Sequence, residues 1–504
     1  MKVLYVCAEL YPFLKTGGLA DVSAGLTPAL RALGCDVRVL MPGFPALMSV
    51  VTERHAVARL PGDETPWGPA PVLPMADVVR TELPGLAVPV YLLDAPALFD
   101  RPGNPYLGPD GRDWSDNALR FGALGWAAAC LGQGLDPDWT PDVIHGHDWH
   151  AGLAPAYVQA WSDAGEATPA TLTTIHNLAY QGLFTATSLR ALGLPASCFD
   201  VDGLEYFGQV SFLKAALRYS DRLTTVSPTY AREITQPEQG CGLDGLLRER
   251  AHVLSGILNG VDYAIWSPEN DAFLTTPYDG ATLDNKAVAK AALQASLGLE
   301  VSAKALVFGV VSRLTEQKGL HLLPEVLADL VHRGGQLALL GQGDAVLEQA
   351  FIQAKALYPG QVGVQIGYDE ATAHAVMAGA DVILVPSAFE PCGLTQLYGL
   401  RYGTLPLVRG VGGLADTVAD CSLENLDDGS ATGFVFDELS AQGLSSALRR
   451  AFVLFARPAE WAQVQQQGMT LRFDWQSAAQ KYLALYQALR PSASAGPHNL
   501  PNKE

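Results

Sequence analysis

The chain has 504 residues, 49% of them hydrophobic and 17% charged, which is enough apolar material for two domains that each bury a core. Its 52 acidic residues outnumber 33 basic ones, and the net charge of -19 argues against a protein that grips nucleic acid or an anionic membrane. Seven scattered cysteines with no C-x-x-C read as reduced thiols of a cytoplasmic protein, Glu9 interrupts the apolar start so that no signal peptide is expected, and no apolar stretch reaches bilayer length.

Short β-branched runs alternate with amphipathic patterns. KVLYVCAE, ADVSAGLTPALRALG and CDVRVLMP predict strand, helix and strand, with the helix starting near Ala20; DVIHGHD, LAPAYVQAWSDAG and ATLTTIHN repeat the arrangement. Such alternation predicts an α/β fold with parallel, doubly wound sheets covered by helices on both faces. The pattern pauses in the turn-rich SGILNGVDYAIWSPEND (255–271) and resumes with ALVFGVVSRL, GQLALLGQG, GVQIGY and DVILVPSAF. Domains are therefore expected at 1–255 and 269–474, with a linker at 256–268, a helix at 475–490 and a disordered tail at 491–504. Open α/β sheets bind ligands at the carboxyl ends of their strands, so a cleft between the two domains is the expected site.

In FLKTGGLAD, Gly17 and Gly18 lie between a strand end and a helix, where bare backbone and unpaired N–H groups suit an anion and Lys15 adds a positive charge; a tight turn without a ligand is the plain alternative. HGHDWHAG brings three histidines into six residues, and His145 and His147 would share one face of an extended segment. The ligand set for a metal is incomplete, which favours polar substrate contacts, with Asp148 foremost. TTIHNLAYQG sets His176 and Asn177 at another strand end. Arg313 and Lys318 in SRLTEQKG stand just past a strand end, where they could converge on a diphosphate or simply be solvated. GQGDAV follows the strand QLALLG but lacks the third glycine of a dinucleotide fingerprint. In FEPCGLTQLYGL a loop presents Glu390, the amides of Gly393, Leu394 and Thr395 would face an anion, and Cys392 has no local base to make it a nucleophile.

Taken in order, KTGGLADV, HDWHAGLAP, IHNLAYQG, LNGVDYAIWSP, SRLTEQKG, FEPCGLTQLYGL and GGLADTV resemble the bacterial and plant glycogen and starch synthases, across about residues 1 to 485. The resemblance implies the GT-B fold of two Rossmann-like domains, an acceptor-side domain at 1–255 and a nucleotide-sugar-binding domain at 269–474, with the last helix crossing back to the first. It implies transfer of glucose from ADP-glucose to the non-reducing end of an α-1,4-glucan, with retention of configuration and release of ADP, without cofactor or metal. Positions matching Arg313 and Lys318 bind the diphosphate in such enzymes, the Lys15 to Gly18 loop closes over it, and Tyr368 in IGYDE is expected against the adenine. Asp148, Asn259 and Glu390 match residues around the glucose, His176 one near the reacting sugar, and Tyr106 an aromatic near sugar or acceptor. Where many retaining relatives carry a second glutamate, this chain has Tyr398, so a same-face ion-pair route and a covalent intermediate both stand open. A catalytically silent glucan-binding or regulatory protein is the alternative from another functional class.

Overall fold

A computed structural model describes residues 1–62, 64–65, 67–69 and 71–489, so residue 490 of the expected last helix and the expected tail at 491–504 lie outside the described residues. The chain forms two compact units. The first comprises Met1–Thr225, Glu233–Ile257 and Trp475–Leu489; the second comprises Val226–Arg232 and Leu258–Asp474.

The first unit is built on a nine-stranded sheet among the described residues: β1 (Lys2–Val6), β2 (Asp36–Pro42), β3 (His55–Arg59), β4 (Asp77–Thr81), β5 (Val90–Asp94), β6 (Val143–His147), β7 (Ala170–Ile175), β8 (Arg222–Thr225) and β9 (Leu254–Gly256). The spatial order is β9-β8-β7-β6-β1-β2-β5-β4-β3. Pairing is parallel from β9 to β5 and antiparallel at β5-β4 and β4-β3. β1 starts in the middle, the chain winds out through β2 and β5, and it returns to place β6 on the other side of β1. β1 and β6 are buried nearly throughout because helices cover both faces of the sheet. The helix Gly18–Ala32 buries Leu19, Val22, Leu26 and Leu30, a stripe at helical spacing. The helix Trp475–Leu489 buries Ala478, Ala479, Tyr482 and Tyr486 in the same core, and the Tyr486 hydroxyl lies 2.7 Å from His145 Nδ1.

The second unit has a six-stranded, wholly parallel sheet among the described residues: β10 (Leu306–Leu314), β11 (Gly335–Gly343), β12 (Val362–Ile366), β13 (Val382–Val385), β14 (Leu405–Arg409) and β15 (Phe434–Phe436). Their order is β12-β11-β10-β13-β14-β15, the doubly wound 3-2-1-4-5-6 arrangement. The winding reverses between β10 and β13. Strand lengths correct two expectations. Arg313 lies inside β10 rather than beyond it, paired with Gln342, and Gly341 and Gly343 lie inside β11 opposite Ser312 and Leu314. The GQG string is thus sheet, not a phosphate loop.

Candidate functional site

In the first unit, the residues singled out from sequence gather past the carboxyl ends of β1, β6 and β7, beside the point where the winding reverses. The helix after β1 begins at Gly18 rather than near Ala20, with Gly17 as its N-cap. A Cβ placed on Gly17 or Gly18 would meet no atom within 4 Å. Lys15 pairs with Asp21 at 2.9 Å and stands 5.3 Å over the Tyr11 ring. The amides just ahead of this helix are not free for an external anion: Thr16 N and Gly17 N donate to Glu9 Oε2 at 2.6 and 3.0 Å. Glu9 Oε1 accepts from Thr16 Oγ1 and from the Tyr106 hydroxyl, each at 2.6 Å. Sequence reasoning used Glu9 only as a break in an apolar run; a carboxylate placed directly past the first strand of a doubly wound sheet was the available signal. The Tyr106 ring stacks on His150 at 4.8 Å.

Asp148 follows β6 and is buried. Its backbone sits at φ 54°, ψ -169°, a conformation that costs a non-glycine residue of order 1–3 kcal/mol. The carboxylate accepts from His176 N at 2.6 Å and Asn177 N at 3.4 Å, which ties β6 to the loop after β7. Burial pushes its carboxyl up to about 7; the two amides oppose the shift and the charge of Glu9 adds to it. The half-buried His176 is pulled down by burial and is neutral at physiological pH. Its Nε2 lies 2.9 Å from His147 Nδ1, and the His147 ring stacks on Tyr5 at 3.9 Å. His145 has Tyr486 on one ring nitrogen and Thr174 on the other, both at 2.7 Å, so it has no lone pair left for a metal. Among the described residues no group of three or more His, Cys, Asp or Glu is placed to hold a metal ion. Asn177 turns its Oδ1 to the amide of Ala179 at 3.0 Å.

In the second unit the corresponding edge is the reversal between β10 and β13. Lys318, in the short turn after β10, places Nζ 2.5 Å from Glu390 Oε2 on the loop after β13. Ser387 Oγ donates to the same carboxylate oxygen at 2.9 Å. Two glycines allow this approach. Gly319 has φ +67°, and a Cβ there would sit 1.9 Å from the Pro386 carbonyl oxygen; Gly412 has φ +46°, and a Cβ there would sit 2.0 Å from the Glu390 carbonyl oxygen. Lys318, Glu390, Gly393, Leu394 and Thr395 line one small cavity with Ser312. The amides of Gly393, Leu394 and Thr395 donate to no carbonyl among the described residues and open the helix Thr395–Arg401.

Not every candidate joins this cluster. Arg313 is exposed, and its guanidinium makes no hydrogen bond or ion pair among the described residues. Tyr368 is 57% exposed past the end of β12, with its hydroxyl donating to Glu370. Asn259 is buried with its backbone N–H against the Cys392 thiol, which burial pushes up to about 12; the protonated thiol is no nucleophile. Tyr398 lies flat on Trp266 at 4.1 Å and 5°, and Trp266 lies on His374 at 3.8 Å, so the residue standing where relatives have a second glutamate belongs to an aromatic stack. The two GGLAD strings differ in use. Asp21 of the first holds Lys15, whereas Asp416 of the second accepts from Thr229 N and Thr229 Oγ1, each at 2.7 Å, and joins Val226–Arg232 to the second unit.

The family described as starch synthase catalytic domain matches residues 2–249, and the family described as glycosyl transferases group 1 matches residues 299–461. The chain is 72% identical over 493 residues to a glycogen synthase of Albidiferax ferrireducens, covering 98% of this chain and 100% of that one. It is 52% identical over 491 residues to a glycogen synthase of Francisella philomiragia, covering 97% and 100%. Among solved structures, the catalytic domain of starch synthase IV from Arabidopsis thaliana, bound to ADP and acarbose, matches with a TM-score of 0.84 and 31% identity over 97% of this chain and 99% of that one.

Proposed function

Because the chain belongs to the glycogen synthase family and is a glycosyltransferase of the GT-B fold, we propose that it transfers glucose from ADP-glucose to the non-reducing end of an α-1,4-glucan, with retention and release of ADP. The observation that carries the reading is the Lys318–Glu390 pair at the winding reversal of the second sheet, where this architecture seats its ligands. Departure of ADP builds negative charge on the diphosphate and positive charge at the anomeric carbon. Lys318, Arg313 and the amides of Gly393, Leu394 and Thr395 answer the first charge; the Glu390 and Asp148 carboxylates answer the second. These cations take the place that a divalent ion holds in other sugar-nucleotide transferases. In the first unit, Lys15 and Gly18 serve the diphosphate, with Gly17, whose amide Glu9 holds, keeping that approach clear of a side chain, while Tyr106, His176 and Asn177 serve the sugar and acceptor. Asn259 lies by the glucose, and Tyr368 stacks on the adenine.

The domain boundaries at 255–269, with the last helix returning to the first domain, belong to the same reading, as does a cytoplasmic location. No helix among the described residues is long and apolar enough to cross a membrane. Against a catalytically silent protein stands the presence of Lys15, Asp148, His176, Arg313, Lys318 and Glu390 together. The test is nucleotide release and glucan extension with ADP-glucose or UDP-glucose as donor and glycogen as acceptor, in buffer containing a chelator. ADP release with chain extension is expected. Failure with both donors, or release only on adding Mg²⁺, overturns the proposal.

A further inference from the structure

Glu9 has no part in the reading above. Its side chain is 3% exposed and pairs with no lysine, arginine or histidine among the described residues. A carboxylate held so deep without a counter-ion is costly unless hydrogen bonds saturate it. Four do. Oε2 takes the amides of Thr16 and Gly17, and Oε1 takes the hydroxyls of Thr16 and Tyr106, at 2.6 to 3.0 Å. One carboxylate therefore holds both the Lys15 to Gly18 loop and an aromatic contributed from the loop before the helix Asn117–Gly132.

We propose that Glu9 is a positioning residue that makes this loop and Tyr106 a single body, so that disturbing one disturbs the other. The inference rests on the reading that the loop serves the diphosphate and Tyr106 the sugar or acceptor. It makes a demand that a private role for each element does not. Removing the Tyr106 hydroxyl leaves the ring on His150 but takes one of two donors from Oε1, and the loss should reach the diphosphate side through Glu9. Glu9→Gln keeps the shape: its amide oxygen can face the two N–H groups, while its amide nitrogen donates to the two hydroxyls, each of which can accept. Glu9→Ala releases all four donors.

Two measurements test this. Amide hydrogen exchange on the full chain without substrate should show Thr16 and Gly17 exchanging about tenfold faster in Glu9→Ala, the loss of one net hydrogen bond each, with Glu9→Gln close to the parent. ADP affinity by calorimetry, which needs no turnover, should fall about threefold or more in Tyr106→Phe and show no further fall when Tyr106→Phe is added to Glu9→Ala. Unchanged exchange at Thr16 and Gly17 in Glu9→Ala overturns the link, and so do additive effects of the two substitutions on ADP affinity. Absence of glucosyl transfer by the parent protein would sink the proposed activity while leaving both of these readouts decisive for Glu9.

Discussion

Asp148→Asn isolates the energetic cost of the first unit's edge. An aspartate whose ordinary value is 3.8 is held at about 7 by burial, so the folded state binds a proton that the unfolded chain has already lost. The stability that Asp148 contributes is fully present below about pH 4 and is lost as the pH rises toward about 7. By linkage the full loss is about 4 kcal/mol, most of it accumulated between these limits. Asparagine removes the ionisation, keeps an acceptor oxygen for the amides of His176 and Asn177, and tolerates the positive φ better than most residues. Weaker hydrogen bonds to a neutral acceptor give back about 1–2 kcal/mol, which leaves a net gain of about 2 kcal/mol in alkaline buffer. The assay is the unfolding midpoint of parent and variant at about pH 5 and about pH 8.5, with ADP release measured alongside. The variant should be the more stable protein at the higher pH, by a margin that widens from the lower pH, and should lose most turnover. A margin that stays flat or narrows with rising pH would refute the assignment of a raised carboxyl, and normal turnover would remove Asp148 from the reaction.

Three further outcomes follow from the second unit. Lys318→Met leaves the Glu390 carboxylate buried with Ser387 as its one side-chain partner among the described residues and should cost about 3 kcal/mol, whereas Lys318→Met combined with Glu390→Gln should cost less, as urea midpoints will show; both proteins should lose donor turnover. Gly319→Ala meets the Pro386 carbonyl at 1.9 Å and a strained φ of +67°, so it should destabilise by about 2 kcal/mol or more and lower the ADP-release rate by displacing Lys318; a fully active, equally stable variant would contradict the packing. Tyr398→Glu, which restores the glutamate of other retaining transferases, should lower the melting temperature by losing the stack on Trp266, and should not raise turnover in a steady-state assay.

Much of this protein could be read from its sequence, because the readable part is written in short windows. The alternation of buried strands with amphipathic helices has a period of a few residues, so the parallel strands from KVLYVCAE through DVILVPSAF and the helices between them were legible, while the antiparallel edge β5-β4-β3 was not. That Lys318, Glu390, Asp148 and His176 stand within a few residues of a strand's carboxyl end was legible too. Strand order and side-chain partners relate residues that no strand or helix period connects, 72 positions apart for Lys318 and Glu390, and local pattern carries none of that. Only the folded chain places β13 beside β10 and so puts Lys318 on Glu390. It also gives the amides of Thr16 and Gly17 to Glu9, extends β10 through Arg313, and commits Tyr398 to Trp266. A buried polar group must find its partner wherever the tertiary packing leaves one, and that search is settled in three dimensions rather than along the chain.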